Sequence, residues 1–151
     1  MIPGTPFGLN LDALLAYLHH SPHVGFERLA RLATELYGLK ISERAIADAL
    51  QRLETPLADE HIRIIKELRS AEVAWCDETT TRINGRLHWQ WVFVTPKVVF
   101  HEITPRRARV VAEAAMGGHK PAVWVSDRFA GQQDMAATHQ ECLAHVLRDV
   151  Q

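Results

Sequence analysis

The first half of the chain has the hydrophobic period of helices. From Leu9 to about Ser70, apolar residues recur every three or four positions, which predicts a series of amphipathic helices. Gly38 suits the end of one helix, Ser42 suits the cap of the next, and Pro56 falls in the first turn of a further one. The apolar stripes on the first three helices comprise Leu11, Leu14, Leu15 and Leu18; Phe26, Leu29, Leu32 and Leu36; and Ile46, Ala49, Leu50 and Leu53.

After Val73 the period changes toward two, which is typical of strands. The runs "VAWCDETTTRI" and "RLHWQWVFVT" flank Asn84-Gly85, the strongest short-range signal of a β-hairpin. A third strand, "VVFHEI", follows the turn at Pro96. Pro105 then begins a helix through "RRARVVAEAAMG", "PAVWVSD" forms a fourth strand, and "THQECLAHVLRDVQ" closes the chain as a helix.

These patterns predict an α+β fold in two parts. Residues 1–71 form a helical region, and residues 72–151 form a domain with the order β-β-β-α-β-α. Within the helical region, "FERLARLATELYGLKISERAIADALQRL" has helix-turn-helix character, with Arg44 on the second helix. A recognition helix presents such residues to the major groove of DNA. A plain helical bundle that braces the second part is the alternative, because acidic residues on the same helices dilute any positive face.

The amino-acid composition narrows the class of protein only moderately. The chain has 151 residues, 47% of them hydrophobic, with a net charge of −1 and a pI of about 6.8. This balance is not typical of a basic nucleic-acid-binding domain, although local patches decide contacts. With only Cys76 and Cys142 and no secretory signal, we expect a reducing, cytoplasmic setting. No apolar run is long enough to span a bilayer, so we expect no membrane association.

The hairpin places two acidic residues on opposite faces of the sheet. If Asn84-Gly85 is a two-residue turn, facing residues have numbers that sum to 169, so Asp77 faces Val92. Because side chains alternate along a strand, Glu78 points to the other face, near Trp91. The face of Asp77 also carries Thr79, Thr81, His88 and Gln90. That face is either a solvated polar surface or part of a shared site.

A second candidate acid follows the fourth strand. Asp127 ends the apolar run "AVWVSD", and the carboxyl ends of strands are favoured places for ligands. If the first and fourth strands are neighbours, Asp77 and Asp127 converge. Two close carboxylates need a cation between them, and Mg²⁺ or Mn²⁺ suits oxygen ligands. Two such ions can act on a phosphodiester. A loop or helix-capping role for Asp127 is the alternative.

Several motifs together resemble a known family. "CDETTTRINGRLHWQWVFVTPKVVFHEITPRR", "VWVSDRFAGQQ" and "HQECLAHVLRD", at these spacings, are similar to the transposases of the insertion-sequence-sixty-six family. The front-end segments "PGTPFG", "LLAYLHH" and "GFERLARLATELYGLKISERAIADAL" also resemble that family, so the similarity covers nearly the whole chain. The resemblance implies an RNase H-like core with an Asp-Asp-Glu metal triad and Mg²⁺ or Mn²⁺ as cofactor. It also implies DNA, both element ends and target, as partner, and a homo-oligomeric assembly.

The resemblance assigns roles to individual residues. Asp77 matches the first catalytic Asp and Asp127 the second, which implies that both bind the metals. The third acid, a Glu on a later helix, has no counterpart in these 151 residues, and the chain opens within the front-end segment. We therefore expect a piece of a longer transposase, truncated at both ends and inactive or nearly so by itself. A non-catalytic DNA-binding or regulatory module is one alternative, and an RNase H-like nuclease that obtains its missing acid elsewhere is another.

The remaining candidates are basic residues and a histidine–cysteine cluster. Arg82 and Arg86 at the hairpin tip, and Arg128 after the fourth strand, could contact phosphates, although ordinary solvated surface fits equally well. In "HQECLAHVLRD", three residues at three-residue intervals could hold zinc, but they drift around a helix and zinc needs more ligands. The family pattern allows both histidines to lie near the acidic site. Glu78 is a further candidate neighbour of that site, although its side chain faces away and supports structure, and we expect Cys76 in the core. The three residues of the cluster are His139, Cys142 and His145.

Overall fold

The computed structural model describes residues 7–150. Residues 3–6 of the segment "PGTPFG" therefore lie outside the described part. The chain divides into two compact units, Met1–Asp59 and Glu60–Gln151. The domain boundary predicted between residues 71 and 72 stays a prediction.

The first unit is helical, as the period predicts. Ser42 caps α3 by accepting a hydrogen bond from the Ala45 amide at 3.1 Å, and Gly38 ends α2 in the left-handed conformation with φ 66°. Leu36, expected on the buried stripe, is 66% exposed, because Ala33 takes the buried position on that helix. The helices of this unit are α1 (Leu9–His20), α2 (Phe26–Tyr37) and α3 (Glu43–Arg52), and α4 (Glu54–Leu68) begins in it and continues into the residues of the second unit.

The second unit is built on a five-stranded mixed sheet. The strands are β1 (Val73–Ile83), β2 (Arg86–Val94), β3 (Val99–Thr104), β4 (Val123–Ser126) and β5 (Thr138–Glu141), in the order β3-β2-β1-β4-β5. β1 pairs antiparallel with β2, and β2 with β3, whereas β4 runs parallel to both β1 and β5. The α+β class is therefore confirmed. The first and fourth strands are neighbours, which is the condition under which we expected Asp77 and Asp127 to converge.

The hairpin has the predicted register. Asn84 and Gly85 both have positive φ, 50° and 76°, which a tight two-residue turn between twisted strands requires. Asp77 pairs with Val92 and Glu78 with Trp91. The two carboxylates accordingly lie on opposite faces of β1.

The helix predicted from Pro105 begins four residues later than expected. α5 spans Arg109–Met116, and Ala108 is extended. The Thr104 hydroxyl and the Trp91 indole N–H both donate to the Arg106 carbonyl, at 2.8 and 3.3 Å. This carbonyl is thereby bound outside a helix, and residues 105–108 form a non-helical connection.

The closing helix is also shorter than predicted. Residues Thr138–Glu141 form β5, because they pair in parallel with β4, and only Leu143–Asp149 form a helix, α6. A short 3₁₀ turn, Ala130–Gln132, precedes β5. The order β-β-β-α-β-α is therefore corrected to β-β-β-α-β-β-α. Pairing with a neighbouring strand has overridden the local helical pattern.

The core of the second unit lies on one face of the sheet, beneath α5. Fully buried side chains from three strands meet there, and α5 contributes its apolar side. Cys76 is buried in this core, as expected. Within residues 7–150, no helix is long and apolar enough to cross a membrane. The largest buried side chains in this core are Trp91, Trp124, Phe93, Leu68 and Met116.

Candidate metal-binding site at the ends of the central strands

Asp77 lies on the face of β1 that points away from the core. Its side chain is 62% exposed. One carboxylate oxygen accepts a hydrogen bond from the Glu78 amide at 2.9 Å, and His145 Nε2 lies 3.9 Å from the same oxygen. The carboxylate is therefore open to solvent and to any ligand that approaches this face.

Asp127 follows β4 directly, and each of its carboxylate oxygens has a polar neighbour. Oδ1 accepts a hydrogen bond from the Phe129 amide at 2.9 Å, and Oδ2 lies 3.5 Å from Arg107 Nη2. The contact with the Phe129 amide is the local turn contact that the capping alternative anticipates. Both roles are compatible, since a carboxylate has about four lone-pair positions.

The parallel register relates the two acids across the sheet. β1 pairs with β4 at an offset of 50, with Trp75 opposite Val125 as the last pair. The same offset, continued by two residues beyond this last pair, would align Asp77 with Asp127. The sequence could not supply this register, because two parallel strands joined by a long crossover have no turn that fixes their alignment.

Glu78 is the most enclosed carboxylate of this region, with a side chain that is 0% exposed. Arg107 donates to its Oε1 from Nε at 2.7 Å and contacts it with Nη2 at 2.6 Å, and Gln132 Nε2 donates to Oε2. Burial raises the pKa of the Glu78 carboxyl, and the hydrogen bond and charge of Arg107 oppose that rise. Glu78 thus faces away from Asp77, as expected, but it is linked through Arg107 to Asp127.

Arg107 and Gln132 were both missed at the sequence level as members of this network. The Arg107 guanidinium lies 4.0 Å from the ring centroid of Phe129 and 5.0 Å from that of Trp89. Gln132 is fully buried, and its Oε1 accepts a hydrogen bond from the Trp124 indole at 3.1 Å. A buried Glu predicted on the core face requires a partner, and that requirement was the available signal.

The histidine–cysteine cluster is divided between two elements. His139 lies on β5 and contacts Ser126 Oγ and Gln133 Oε1, each at 3.0 Å. Cys142 precedes α6, and His145 lies on it. Hydrogen bonding with His145 lowers the pKa of the Cys142 thiol, and the same contact raises the pKa of His145. His145 lies near Asp77, whereas His139 is directed toward the end of β4.

The donor chemistry fits a divalent cation only in part. Asp77 and Asp127 offer carboxylate oxygens, which Mg²⁺ and Mn²⁺ prefer. Among residues 7–150, no group of three or more His, Cys, Asp and Glu side chains could hold a metal ion. Asp77 and Asp127 would therefore hold such an ion together with water or a substrate phosphate. A cleft of about 280 Å³ adjoins Asp127, lined also by Arg107, Arg128, Phe129, Glu141 and His145.

The candidate DNA-contacting arginines are dispersed over both units. Arg44 is 84% exposed and pairs with Asp48 at 2.9 Å. Arg82 donates to the Gly85 carbonyl at 3.2 Å, and Arg86 is exposed at the start of β2. Arg128 pairs with Glu141 at 3.0 Å beside Asp127. Of these four, Arg128 is the one that lines the cleft next to a candidate acid.

Fold and site together define an α+β protein with one acid on the central strand β1 and a second directly after the neighbouring parallel strand β4. The family model described as "Transposase IS66 family" matches residues 4–151. The chain belongs to this family, which confirms the resemblance drawn from its motifs. A comparison with curated proteins finds no match.

One similar solved chain comes from the cryoEM structure of the simian T-cell lymphotropic virus intasome in complex with PP2A regulatory subunit B56 gamma. The sequence identity is 20% and the TM-score is 0.39. The match covers 90% of the present chain and 56% of that chain. The present chain thus corresponds to little more than half of the longer one.

Proposed function

We propose that this chain is part of the catalytic core of a DNA transposase, in which Asp77 and Asp127 bind Mg²⁺ or Mn²⁺. The observation that supports this proposal most directly is the parallel pairing of β1 with β4 at an offset of 50, which would align the two acids if it continued two residues past Trp75 and Val125. Both acids lie within the range that matches the transposase family. The metals, when bound, would activate the attacking hydroxyl and stabilise the leaving oxygen of a phosphodiester.

The protein's own contribution is to bind and orient. Asp77 is exposed enough to reach a substrate-bound cation, whereas Asp127 is fixed in direction by the Phe129 amide. Phosphoryl transfer asks little covalent work of the protein, so positioning and charge stabilisation carry the reaction.

DNA is the proposed partner, and phosphate contact is its simplest mode of recognition. Arg128 lies beside Asp127, and Arg82 and Arg86 lie at the hairpin tip. Arginine forks match phosphate oxygens. Replacing Arg128 with Ala should weaken binding to DNA of any sequence and reduce its salt dependence. Assembly into a homo-oligomer on element ends and target belongs to the same proposal.

The 151-residue chain, assayed by itself, is expected to cleave DNA weakly or not at all. It supplies two carboxylates toward a site that the family builds from three. Robust metal-dependent cleavage by this chain, lost in Asp77→Ala, would contradict that expectation.

A manganese titration tests the metal site directly. Paramagnetic broadening of backbone amide signals detects even weak Mn²⁺ binding, and we expect it to be centred on Asp77 and Asp127. Asp77→Asn or Asp127→Asn should abolish the localised broadening. Glu113→Gln, which removes an exposed carboxylate on α5, should leave it unchanged. Broadening that is diffuse, or that survives both Asn variants, would refute the site.

A DNA-binding role of the helical unit is the second candidate. α2 and α3 are separated by a short turn that begins with the left-handed Gly38, and their apolar faces share one small core. Arg44 projects from α3 but is paired with Asp48. Unchanged DNA affinity in Arg44→Ala and Lys40→Ala would count against this role. A loss in these two variants, with none in Arg128→Ala, would favour it over the catalytic proposal.

A further inference from the structure

Arg107 lies between two carboxylates and is unequally shared between them. Its Nε and Nη2 approach Glu78 Oε1 at 2.7 and 2.6 Å, whereas Nη2 is 3.5 Å from Asp127 Oδ2. The distances to Glu78 are those of charge-assisted hydrogen bonds, and the distance to Asp127 is longer than such a bond. Glu78 therefore binds the guanidinium directly, whereas Asp127 interacts with it only by Coulombic attraction over a longer distance.

The surroundings restrict where the guanidinium can go. Phe129 and Trp89 both lie within cation–π distance of it, so two of its sides are occupied by aromatic rings. Arginine stays charged at any ordinary pH, so its guanidinium always favours a carboxylate as partner. If Glu78 were neutral, Asp127 would be the nearest charged alternative.

Glu78 itself is fixed by a second contact. The buried Gln132 donates to its other oxygen, and Gln132 is in turn bound by the Trp124 indole. Its side chain is wholly enclosed while these contacts are in place. The carboxylate is consequently oriented to receive Arg107 before any ligand arrives.

We propose that Glu78 is a positioning residue that keeps Arg107 from neutralising Asp127, so that Asp127 retains an oxygen for a divalent cation. This inference rests on the proposed metal role of Asp127. A guanidinium bound directly to Asp127 would occupy a metal-facing oxygen and repel the incoming cation. Glu78 thus acts on the metal site through Arg107, without touching the metal.

The decisive comparison is Glu78→Gln with and without Arg107→Met, measured by the Mn²⁺ titration of amide broadening. Glu78→Gln frees Arg107 for Asp127. We expect Mn²⁺ affinity to fall roughly fivefold to tenfold, the effect of closing from 3.5 Å to about 2.8 Å at an effective dielectric constant of about 20. The double variant also removes the Arg107 guanidinium that competes with Mn²⁺ for Asp127. Its Mn²⁺ affinity should therefore return to within about twofold of wild type, because Asp127 is no longer neutralised.

The double variant separates positioning from simple structural damage. If Glu78 only supports the fold, adding Arg107→Met should not restore affinity. Glu113→Gln, which breaks the comparable Arg109–Glu113 pair at 2.7 Å, is the matched control and should have no effect. If Glu78→Gln does not fold, the double variant alone decides, since its affinity must lie within about twofold of wild type.

The outcomes distinguish this inference from the proposed function. Unchanged Mn²⁺ affinity in Glu78→Gln, with binding still lost in Asp127→Asn, overturns the positioning role and leaves the metal site intact. Failure of the double variant to recover affinity also overturns it. Absence of localised Mn²⁺ binding in the wild-type chain refutes the metal site, and the positioning role with it.

Discussion

Replacing Arg107 with Met tests how the second unit tolerates the buried Glu78 carboxylate. The substitution removes the hydrogen bond that Arg107 Nε donates to Glu78 and the ion-pair contact of its Nη2, and leaves the amide of Gln132 as the remaining partner. Met keeps an apolar side chain of similar length between Phe129 and Trp89, so packing is largely preserved. The loss is therefore mainly electrostatic.

The magnitude follows from the exposure of the two partners. Removing one partner of a fully buried pair costs about 3–5 kcal/mol, because the other charge is left uncompensated. The Glu78 side chain is 0% exposed, but that of Arg107 is 34% exposed, so water can partly reach the vacated space. We therefore expect the free energy of unfolding to fall by about 2–4 kcal/mol. The double variant Glu78→Gln/Arg107→Met should lose about 1–2 kcal/mol less, because no buried charge remains.

The chain provides a suitable probe for this measurement. All four tryptophans, Trp75, Trp89, Trp91 and Trp124, belong to the second unit, so urea unfolding followed by tryptophan fluorescence reports on that unit. Arg109→Met is the matched control, since it breaks an exposed Arg–Glu pair and should cost about 0.5 kcal/mol or less. Equal losses in Arg107→Met and Arg109→Met would refute the reasoning. So would a double variant less stable than Arg107→Met.

Three further predictions concern the same unit. Because burial raises the pKa of Glu78, the folded state binds the proton of this carboxyl more tightly than the unfolded state does. The free energy of unfolding of wild type, relative to that of Glu78→Gln, should therefore fall as pH rises above about 4.3. A difference between the two proteins that does not change with pH in urea titrations would contradict this. Iodoacetamide should alkylate Cys142 well before Cys76, because His145 lowers the pKa of the Cys142 thiol while burial raises that of Cys76; mass spectrometry showing equal rates would exclude this difference. Trp124→Phe should lower the free energy of unfolding by about 2–3 kcal/mol, since it leaves Gln132 Oε1 unsatisfied and opens a cavity. Trp75→Phe, at a residue that is 41% exposed, should lower it by under about 1 kcal/mol. Similar losses for the two variants in urea unfolding would disprove the role of the indole contact.

The sequence determined the features that depend on local chemistry. Asn84-Gly85 requires positive φ at both residues, which fixes a two-residue turn and with it the register of β1 and β2. Once that register is set, alternation decides that Asp77 and Glu78 lie on opposite faces and that Cys76 faces the core. The helical period of the first unit and the cap at Ser42 are local in the same way.

Only the tertiary structure decided where the chain departs from its local preference. Residues 138–141 have a helical pattern but form β5, because an adjacent strand offered their backbone groups parallel pairing. Pro105 favours a helix start, yet the Trp91 indole and the Thr104 hydroxyl bind the Arg106 carbonyl and delay α5 to Arg109.

The delayed start of α5 has a direct effect on the candidate site. It leaves Arg107 on the non-helical connection before α5, from which it reaches Glu78, Phe129 and Asp127. These partners are separated from Arg107 by 20 or more positions in the sequence, and no local pattern encodes such a contact. The sequence by itself thus determined which acids are available and which face each occupies. The tertiary structure decided which residues surround these acids. It did so through the pairing of β1 with β4 and through the partner that the buried Glu78 requires.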